Sequence, residues 1–268
     1  MLNDSQVQTF EQDGFIKGER VLDDGQIETL IGEVMRVIDD QDREDIAQPV
    51  RIMSMGKDAD HPVWQIVNIW QASEPFAELL RQPEVVADAA RLLRAHELRV
   101  WHDQIQYKPA TTGGVNMWHQ DSTAWPVLQP KDAQVTAWIA LDDADEDNGA
   151  MSMVPGSHKW GPQKPFLRSL TSFDGLPETF EGHPVEVRLC PVERGVVHFH
   201  HSLTWHGSHG NTSGRPRRAI AIHFMDQRTV YDPDGEHPMK PFIEVGAGEK
   251  VAGGPFQLVR AAGRLQSA

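Results

Sequence analysis

His119 and Asp121 stand two positions apart in MWHQDS, residues 117–122. In an extended chain, residues so spaced project to the same side, so an imidazole and a carboxylate here can aim at one point if the segment is a strand or a strand end. Together they are donors for a small divalent ion. Two ligands do not make a useful site, and a third must come from a different strand. Of the 13 histidines, His206 in TWHGSHGN is best placed, because it follows the strand-like run GVVHFHHSL and precedes a glycine. Two histidines and one carboxylate form the facial set that holds Fe(II) on one side and leaves positions open for substrate and oxygen. Arg217, eleven residues past His206, opens another strand-like run. Its guanidinium fork could take a carboxylate through two parallel hydrogen bonds.

Rival donors exist. His198 and His200 alternate on one strand and could bind a metal themselves; the alternative is that they face a pocket or solvent while His201 packs as a structural residue. His209 lacks the Gly-Ser sequel of His206 and would spoil the arginine spacing. Arg218 competes with Arg217, but neighbours on a strand point to opposite faces, so only one reaches a pocket. His158 in PGSHK reads as a turn residue. Trp118, Trp125, Trp138, Trp160 and Trp205 lie near these motifs. Most are expected in the core, with one or two lining a substrate pocket.

The elements that position these groups are legible in part. Asp23 and Asp24 can cap a helix, with Ile27, Leu30, Ile31, Val34 and Ile38 following at helical spacing. A second helical stretch covers 75–93, with Pro83 breaking it or opening a new helix. From Leu98 the pattern changes to short runs rich in β-branched and aromatic residues: LRVWHDQIQY, QVTAWIALDD, GAMSMV, VEVRLC, GVVHFHH and RAIAIHFM. Val135, Ala137, Ile139 and Leu141 would share one strand face, and Asn148-Gly149 favours a tight turn. Repeated short strands after a helical lead-in predict an antiparallel sandwich or jelly roll with helices packed outside. Residues 41–60 and 232–255, rich in Asp, Gly and Pro, read as loops.

Bulk composition sets outer limits. The 268 residues suit one β-rich unit, and 39% hydrophobic with 24% charged residues is ordinary for a globular protein. A single cysteine, Cys190, excludes an internal disulfide framework and suggests a reducing, cytoplasmic compartment. The start MLNDSQVQTFEQDGF has no basic and apolar regions of a signal peptide, and no apolar run is long enough to span a bilayer. A formal net charge of −14 disfavours nucleic acid and anionic membranes as partners. It does not bear on a small substrate.

With these pieces in view, the sequence resembles the phytanoyl-CoA dioxygenase family of Fe(II)- and 2-oxoglutarate-dependent oxygenases. The resemblance is carried by WHQDS (118–122), AWIALDD (137–143), NGAMSMVPGSHKWG (148–161) and HGSHGNTSGRPRRAIAIHF (206–224), with DGF at 13–15 as the family's start. It implies one domain over 1–268: a helical lead-in to about 97, a mainly β, cupin-like double-stranded β-helix over about 98–228, and a C-terminal extension over about 229–268. It implies iron on His119, Asp121 and His206. It places the distal carboxylate of 2-oxoglutarate on Arg217, with Ser208 as hydroxyl partner, Trp138 lining the cosubstrate pocket and Gln104 near it. One departure is visible. Where the family often has Gly-Asp before the strand leading to the distal histidine, this chain has Gly195-Val196, and that strand carries His198 and His200.

Hydroxylation of a small molecule with oxygen, releasing succinate and carbon dioxide, is the expected outcome; desaturation, cyclisation and epoxidation use the same ligands. Related halogenases replace the carboxylate with a small residue, so Asp121 argues against halogenation. An acyl-CoA would want basic residues near the pocket mouth, and Arg51, Lys57, Lys159, Lys164 and Arg168 are scattered candidates. A small polar metabolite, an amino-acid derivative or a natural-product intermediate fits as well. A non-catalytic module on the same scaffold, or a sugar-binding or isomerase-type cupin with another metal, would lack oxygen-dependent succinate formation.

Overall fold

The computed structural model describes residues 1–54 and 62–261 and the backbone of 264–265. Helix α1 (Asp4–Asp13) starts at Asn3, whose side chain takes the Gln6 N–H while the Gln6 side chain takes that of Asn3. It ends at Gly14, in the left-handed region at φ 86°. A side chain there would collide with His158 and Thr204, so the glycine of DGF is required twice over. Strand β1 (Phe15–Arg20) leads to α2 (Asp24–Asp39), capped by Asp23 through the same reciprocal box with Gln26. Strands β2 (Arg51–Ser54) and β3 (Trp64–Val67) precede α3 (Glu74–Leu79) and α4 (Pro83–Leu92), and Pro83 opens the second of these helices.

The regular elements of the remaining chain are mostly strands: β4 (Leu98–Lys108), β5 (Asn116–His119), the one-turn α5 (Asp121–Ala124), β6 (Leu128–Gln129), β7 (Gln134–Ala140) and β8 (Met151–Met153). After α6 (Lys164–Ser169) come β9 (Thr179–Phe180), β10 (His183–Pro184), β11 (Arg188–Cys190), β12 (Val196–His201), β13 (His206–Ser208), β14 (Arg217–Asp226) and β15 (Val230–Tyr231). The chain ends in β16 (Leu258–Ala261) and β17 (Arg264–Leu265). Among the described residues, a nine-stranded antiparallel sheet runs β1-β12-β7-β14-β4-β16-β17, with β3 also on β4 and β2 on β3. A four-stranded sheet, β11-β8-β13-β5, faces it. The architecture is a double-stranded β-helix, mainly β with flanking helices.

Strand alternation divides the large sheet into two unlike faces. Val135, Ala137 and Ile139 of β7, Val197 and Phe199 of β12, and Ile220, Ile222 and Phe224 of β14 pack against buried residues of α1 to α4, such as Ile27, Val34, Phe76 and Val86. The opposite face looks at the small sheet, and its apolar contacts are few: Trp138, Ala140, Ala219 and Ala221 against Met151, Met153 and Cys190. The rest of that face is polar. His102, Lys108, Thr136, His198, His200, Arg217 and His223 are all buried there. A sandwich interior ordinarily fills with apolar side chains. Polar groups gathered at its centre are the mark of a site.

Two expectations need correction. The lead-in is not only helical, because β1, β2 and β3 all join the large sheet. The segment 41–60 is not all loop, since Arg51–Ser54 pairs with Trp64–Val67 in register; residues 55–60, and Lys57 with them, lie outside the described residues. The segment 232–255 does run as loop, apart from the single turn Lys240–Phe242. The extension then returns to place β16 on β4.

Candidate metal centre

Two strand ends bring the three donors together. In the antiparallel pairing of β13 with β5, His206 sits opposite His119, and their ring centroids are 4.1 Å apart. Gly207 permits that approach: a side chain there would meet the Asn116 carbonyl at 2.8 Å and the Phe173 ring. Strand β5 stops at His119, and Asp121 begins α5, so its carboxylate swings back to the same point. Gln120 fixes this corner. Its amide donates to the carbonyls of Leu203 (2.7 Å) and Gly161 (2.9 Å) and accepts the N–H of Gln163 (2.7 Å). Trp118 anchors the strand from outside by donating to the Phe173 carbonyl at 2.7 Å.

The ring orientations suit a metal. His119 Nδ1 is 2.8 Å from the Met117 carbonyl and His206 Nδ1 is 2.9 Å from that of Thr204, so each Nδ1 carries its proton and each Nε2 is left as a ligand. Asp121 Oδ1 lies 3.8 Å from His119 Nε2 and 3.6 Å from His206 Nε2. All three donors fall within 4.8 Å of one another, and no other such group converges among the described residues. The second oxygen, Oδ2, accepts from Thr136 Oγ1 (2.7 Å) and His200 Nε2 (3.0 Å), which keeps it turned away from the histidine pair. Burial and the neighbouring His206 push His119 down to about 4, so it is a neutral donor at neutral pH. Burial works to raise Asp121, but His206 and the His200 hydrogen bond outweigh it and hold the carboxyl well below its ordinary range. The donor set therefore fits a divalent metal.

The rivals have other employment. His200 braces Asp121. His198 is buried beside Phe15, ring centroids 5.9 Å apart. His201 Nδ1 accepts the Leu203 N–H at 3.1 Å. His209 faces Asp174 at 3.5 Å on a half-exposed side chain. His158 sits in the short turn Ser157–Trp160, half-buried against His201.

A narrow cavity lined by Thr136, Trp138, Met151, Ser208 and Ala221 leads inward from Asp121 and His206. Against the lining residues Ser208 and Trp138 lies Arg217, fully buried, whose Nε and Nη2 donate to the Gly149 carbonyl at 3.2 and 3.0 Å. Nη2 also reaches Ser208 Oγ at 3.3 Å, the guanidinium lies 5.6 Å from the Trp138 ring centre, and Nη1 has no partner. Arg218 points to the other face and grips Asp142 with two hydrogen bonds, 2.8 and 2.7 Å. Sequence reasoning missed Lys108. Fully buried, it donates to Ser208 Oγ at 2.7 Å and to the His209 carbonyl. Burial and the adjacent Arg217 lower its pKa strongly. Neither cation has an ion-pair partner among the described residues. A buried Arg217 without an acid is unbalanced, and an anionic ligand would balance it. The signal was present in the alternation of β4, which puts Lys108 on the same face as His102, Gln104 and Gln106. Gln104 does not line the narrow cavity. It lines a wider one, about 540 Å³, on the outer side of His119 and Asp121, together with His102, Trp125, His223 and His237.

The comparisons with known proteins agree with this geometry. The family model for phytanoyl-CoA dioxygenase matches residues 10–219. The chain is 28% identical to ectoine dioxygenase of Bordetella bronchiseptica over 251 residues, covering 87% of this chain and 78% of that one. It is 26% identical to the peroxisomal phytanoyl-CoA dioxygenase of Bos taurus, covering 83% and 68%. Its fold is similar to that of the non-heme alpha ketoglutarate dependent carbocyclase SnoK from nogalamycin biosynthesis, with a TM-score of 0.80, 28% identity and 96% of each chain covered.

Proposed function

The chain belongs to the phytanoyl-CoA dioxygenase family, and from that premise we propose that it hydroxylates a small-molecule metabolite at a site built on His119, Asp121 and His206. It is an Fe(II)- and 2-oxoglutarate-dependent oxygenase. Bound Fe(II), 2-oxoglutarate and oxygen supply the oxidising power, and the cosubstrate leaves as succinate and carbon dioxide. The chain's own residues do the positioning. His119 and His206 present Nε2 because their Nδ1 protons are tied to backbone carbonyls. Asp121 presents one oxygen because Thr136 and His200 hold the other. Arg217 offers its unpartnered Nη1 and Ser208 its hydroxyl to the distal carboxylate of 2-oxoglutarate, and Trp138 walls that end of the cavity. Lys108 holds Ser208 in place. Burial of this end excludes water, which strengthens each charged hydrogen bond.

The observation that carries the reading is the convergence of three donors, each oriented by a partner on its non-ligating atom. Ring closure in place of hydroxylation is a second reading, favoured by the likeness to a carbocyclase at 28% identity. An acyl-CoA substrate gains little support: Lys159 donates to the Gln12 carbonyl and Lys164 to that of Thr123, so only Arg51 and Arg168 of the described candidates line the wide cavity. A reducing cytoplasmic setting rests on Cys190 being the single cysteine; no helix among the described residues is long and apolar enough to cross a membrane. The test is oxygen-dependent succinate formation with Fe(II) and 2-oxoglutarate, for wild type and Asp121→Ala. Turnover should be lost in the variant while it still folds; equal turnover in both would overturn the assignment.

A further inference from the structure

The C-terminal extension closes one side of the wide cavity and brings a hydrogen-bond donor to it. His237 and Pro238 lie past β15, in the loop that runs to β16, and both line that cavity together with His119 and Asp121. Three contacts fix the loop. Met239 is fully buried, with its sulfur 3.5 Å from Asn68 Nδ2. Gly235 lies so close to Pro126 that a side chain on it would collide at 2.5 Å. Trp101 stacks on Phe256 with centroids 5.3 Å apart and meets the His237 ring at 5.2 Å.

One contact places the proton on that ring. The Met239 N–H donates to His237 Nδ1 at 3.1 Å. Nδ1 therefore holds a lone pair, and the neutral ring carries its proton on Nε2. Burial first, and His223 second, push His237 down to about 4, in agreement with a neutral ring. Among the described residues Nε2 has no partner, and unlike His102 Nε2 it is not sealed from solvent. The His237 ring stacks on His102 at 5.5 Å, His102 lies 4.5 Å from His223, and His223 Nδ1 is 3.8 Å from Asp121. Two rings thus separate His237 from the metal ligand, so it meets a part of the substrate remote from the reacting atom.

The other polar groups of the cavity favour the same kind of ligand. Arg51 and Arg168 line it, and Asp121 is its only carboxylate among the described residues. Gln104 and Gln106 alternate on β4, so both amides face it. Donors prevail here, and a cation would find no counter-charge other than the metal ligand.

We propose that His237 is a specificity-determining residue whose Nε2–H donates to an acceptor oxygen, a carbonyl or a carboxylate, on the substrate. The inference rests on the oxygenase reading above. The substrate is then an organic molecule without a cationic group that bears such an oxygen away from the carbon that reacts.

The test uses three probes: 4-fluoroacetophenone, 4-fluoro-α-methylstyrene and 4-fluorobenzoate. The first two share a shape and differ in one acceptor, an oxygen in place of a methylene. Binding is followed by fluorine NMR, with and without Zn(II), which activates no oxygen, and saturating 2-oxoglutarate. The ketone should bind about three- to tenfold tighter than the alkene, the range of one hydrogen bond. His237→Phe keeps a ring against Trp101 and His102 but no donor, and should abolish the difference. His237→Gln loses the ring, keeps an N–H and should retain part of it. A merely structural His237 would give the reverse order. If either variant fails to fold, the wild-type comparison and the other variant decide. Benzoate binding tighter than the ketone assigns the oxygen to a carboxylate, and weaker binding assigns it to a carbonyl. Equal binding of ketone and alkene by wild type, binding of neither up to about 10 mM, or an undiminished preference in His237→Phe would overturn the proposal. Metal and 2-oxoglutarate binding without discrimination would overturn this inference alone. Discrimination in a protein that binds neither would overturn the oxygenase assignment and leave the His237 donor in place.

Discussion

Replacing Arg217 with methionine should weaken 2-oxoglutarate binding roughly ten- to hundredfold. Three of the guanidinium's interactions are with the protein itself: two to the Gly149 carbonyl and one to Ser208 Oγ. Nη1 is the group left for a ligand. One hydrogen bond from a charged donor is worth about 1.5–3 kcal/mol, and each 1.4 kcal/mol is tenfold in affinity, which gives that range. The variant keeps the side-chain volume, so the cavity wall beside Trp138 should hold. The assay is titration of 2-oxoglutarate into Fe(II)-loaded protein without oxygen, followed by tryptophan fluorescence, since Trp138 lies against the site. Arg218→Ala is the control. It breaks the pair with Asp142 on the other face and should leave 2-oxoglutarate affinity unchanged. Equal effects from the two, or a larger effect from Arg218, would refute the reasoning. Lys108→Met should give a smaller loss than Arg217→Met, because its donors are already taken by Ser208 and His209.

Other outcomes follow from the same contacts. Thr136→Val removes one of the two donors to Asp121 Oδ2 and should cost roughly 10–100-fold in metal affinity with little change in melting temperature, measured by anaerobic Fe(II) or Co(II) titration. Cys190 is buried, and that burial pushes its thiol up to about 12 against the opposing pull of Arg188, so the native protein should react with a thiol reagent far more slowly than unfolded chain does. His158, His201 and His237 are pushed down to about 4, by burial first in each case. Their ordinary value is 6.5. The unfolded chain therefore binds protons that the fold refuses, and the stability they contribute is full above the ordinary value and lost as pH falls toward the folded values. Melting temperature should drop on acidification through that window, and a flat profile would contradict the burial of these rings. Asp23→Ala removes the cap of α2 and should cost about 1 kcal/mol in denaturant unfolding.

Much of the site was readable before any coordinates, for identifiable reasons. The spacing of His119 and Asp121, the glycine after His206 and the offset to Arg217 are local features that survive into the structure as a strand end, a close strand approach and a face of β14. Parity said only that one of Arg217 and Arg218 could face inward, and the resemblance chose Arg217; in the fold Arg217 is buried between the sheets and Arg218 pairs with Asp142 on the other face. What stayed hidden depends on contacts distant in sequence. Lys108 is one hundred residues from Ser208, and its role comes from pairing of β4 with β14. His200 looked like a rival ligand because alternation gives a side chain's face but not its depth; in the fold its Nε2 contacts Asp121 Oδ2. Gln104, placed near the cosubstrate by resemblance, lines the wider cavity that His119 and Asp121 also line. The strands β2 and β3 were missed because they are four residues each, β2 half-exposed at the edge and β3 buried between β2 and β4, too short to show a period-2 pattern.

The central claim is that one metal sits on His119, Asp121 and His206, and a crystal structure tests it most directly. Protein grown without oxygen with Fe(II) and 2-oxoglutarate, or in air with Ni(II), should show a single anomalous peak at about 2.0–2.2 Å from His119 Nε2, Asp121 Oδ1 and His206 Nε2. An ion bound to His198 and His200, or no ion at the three donors under saturating metal, would contradict the account.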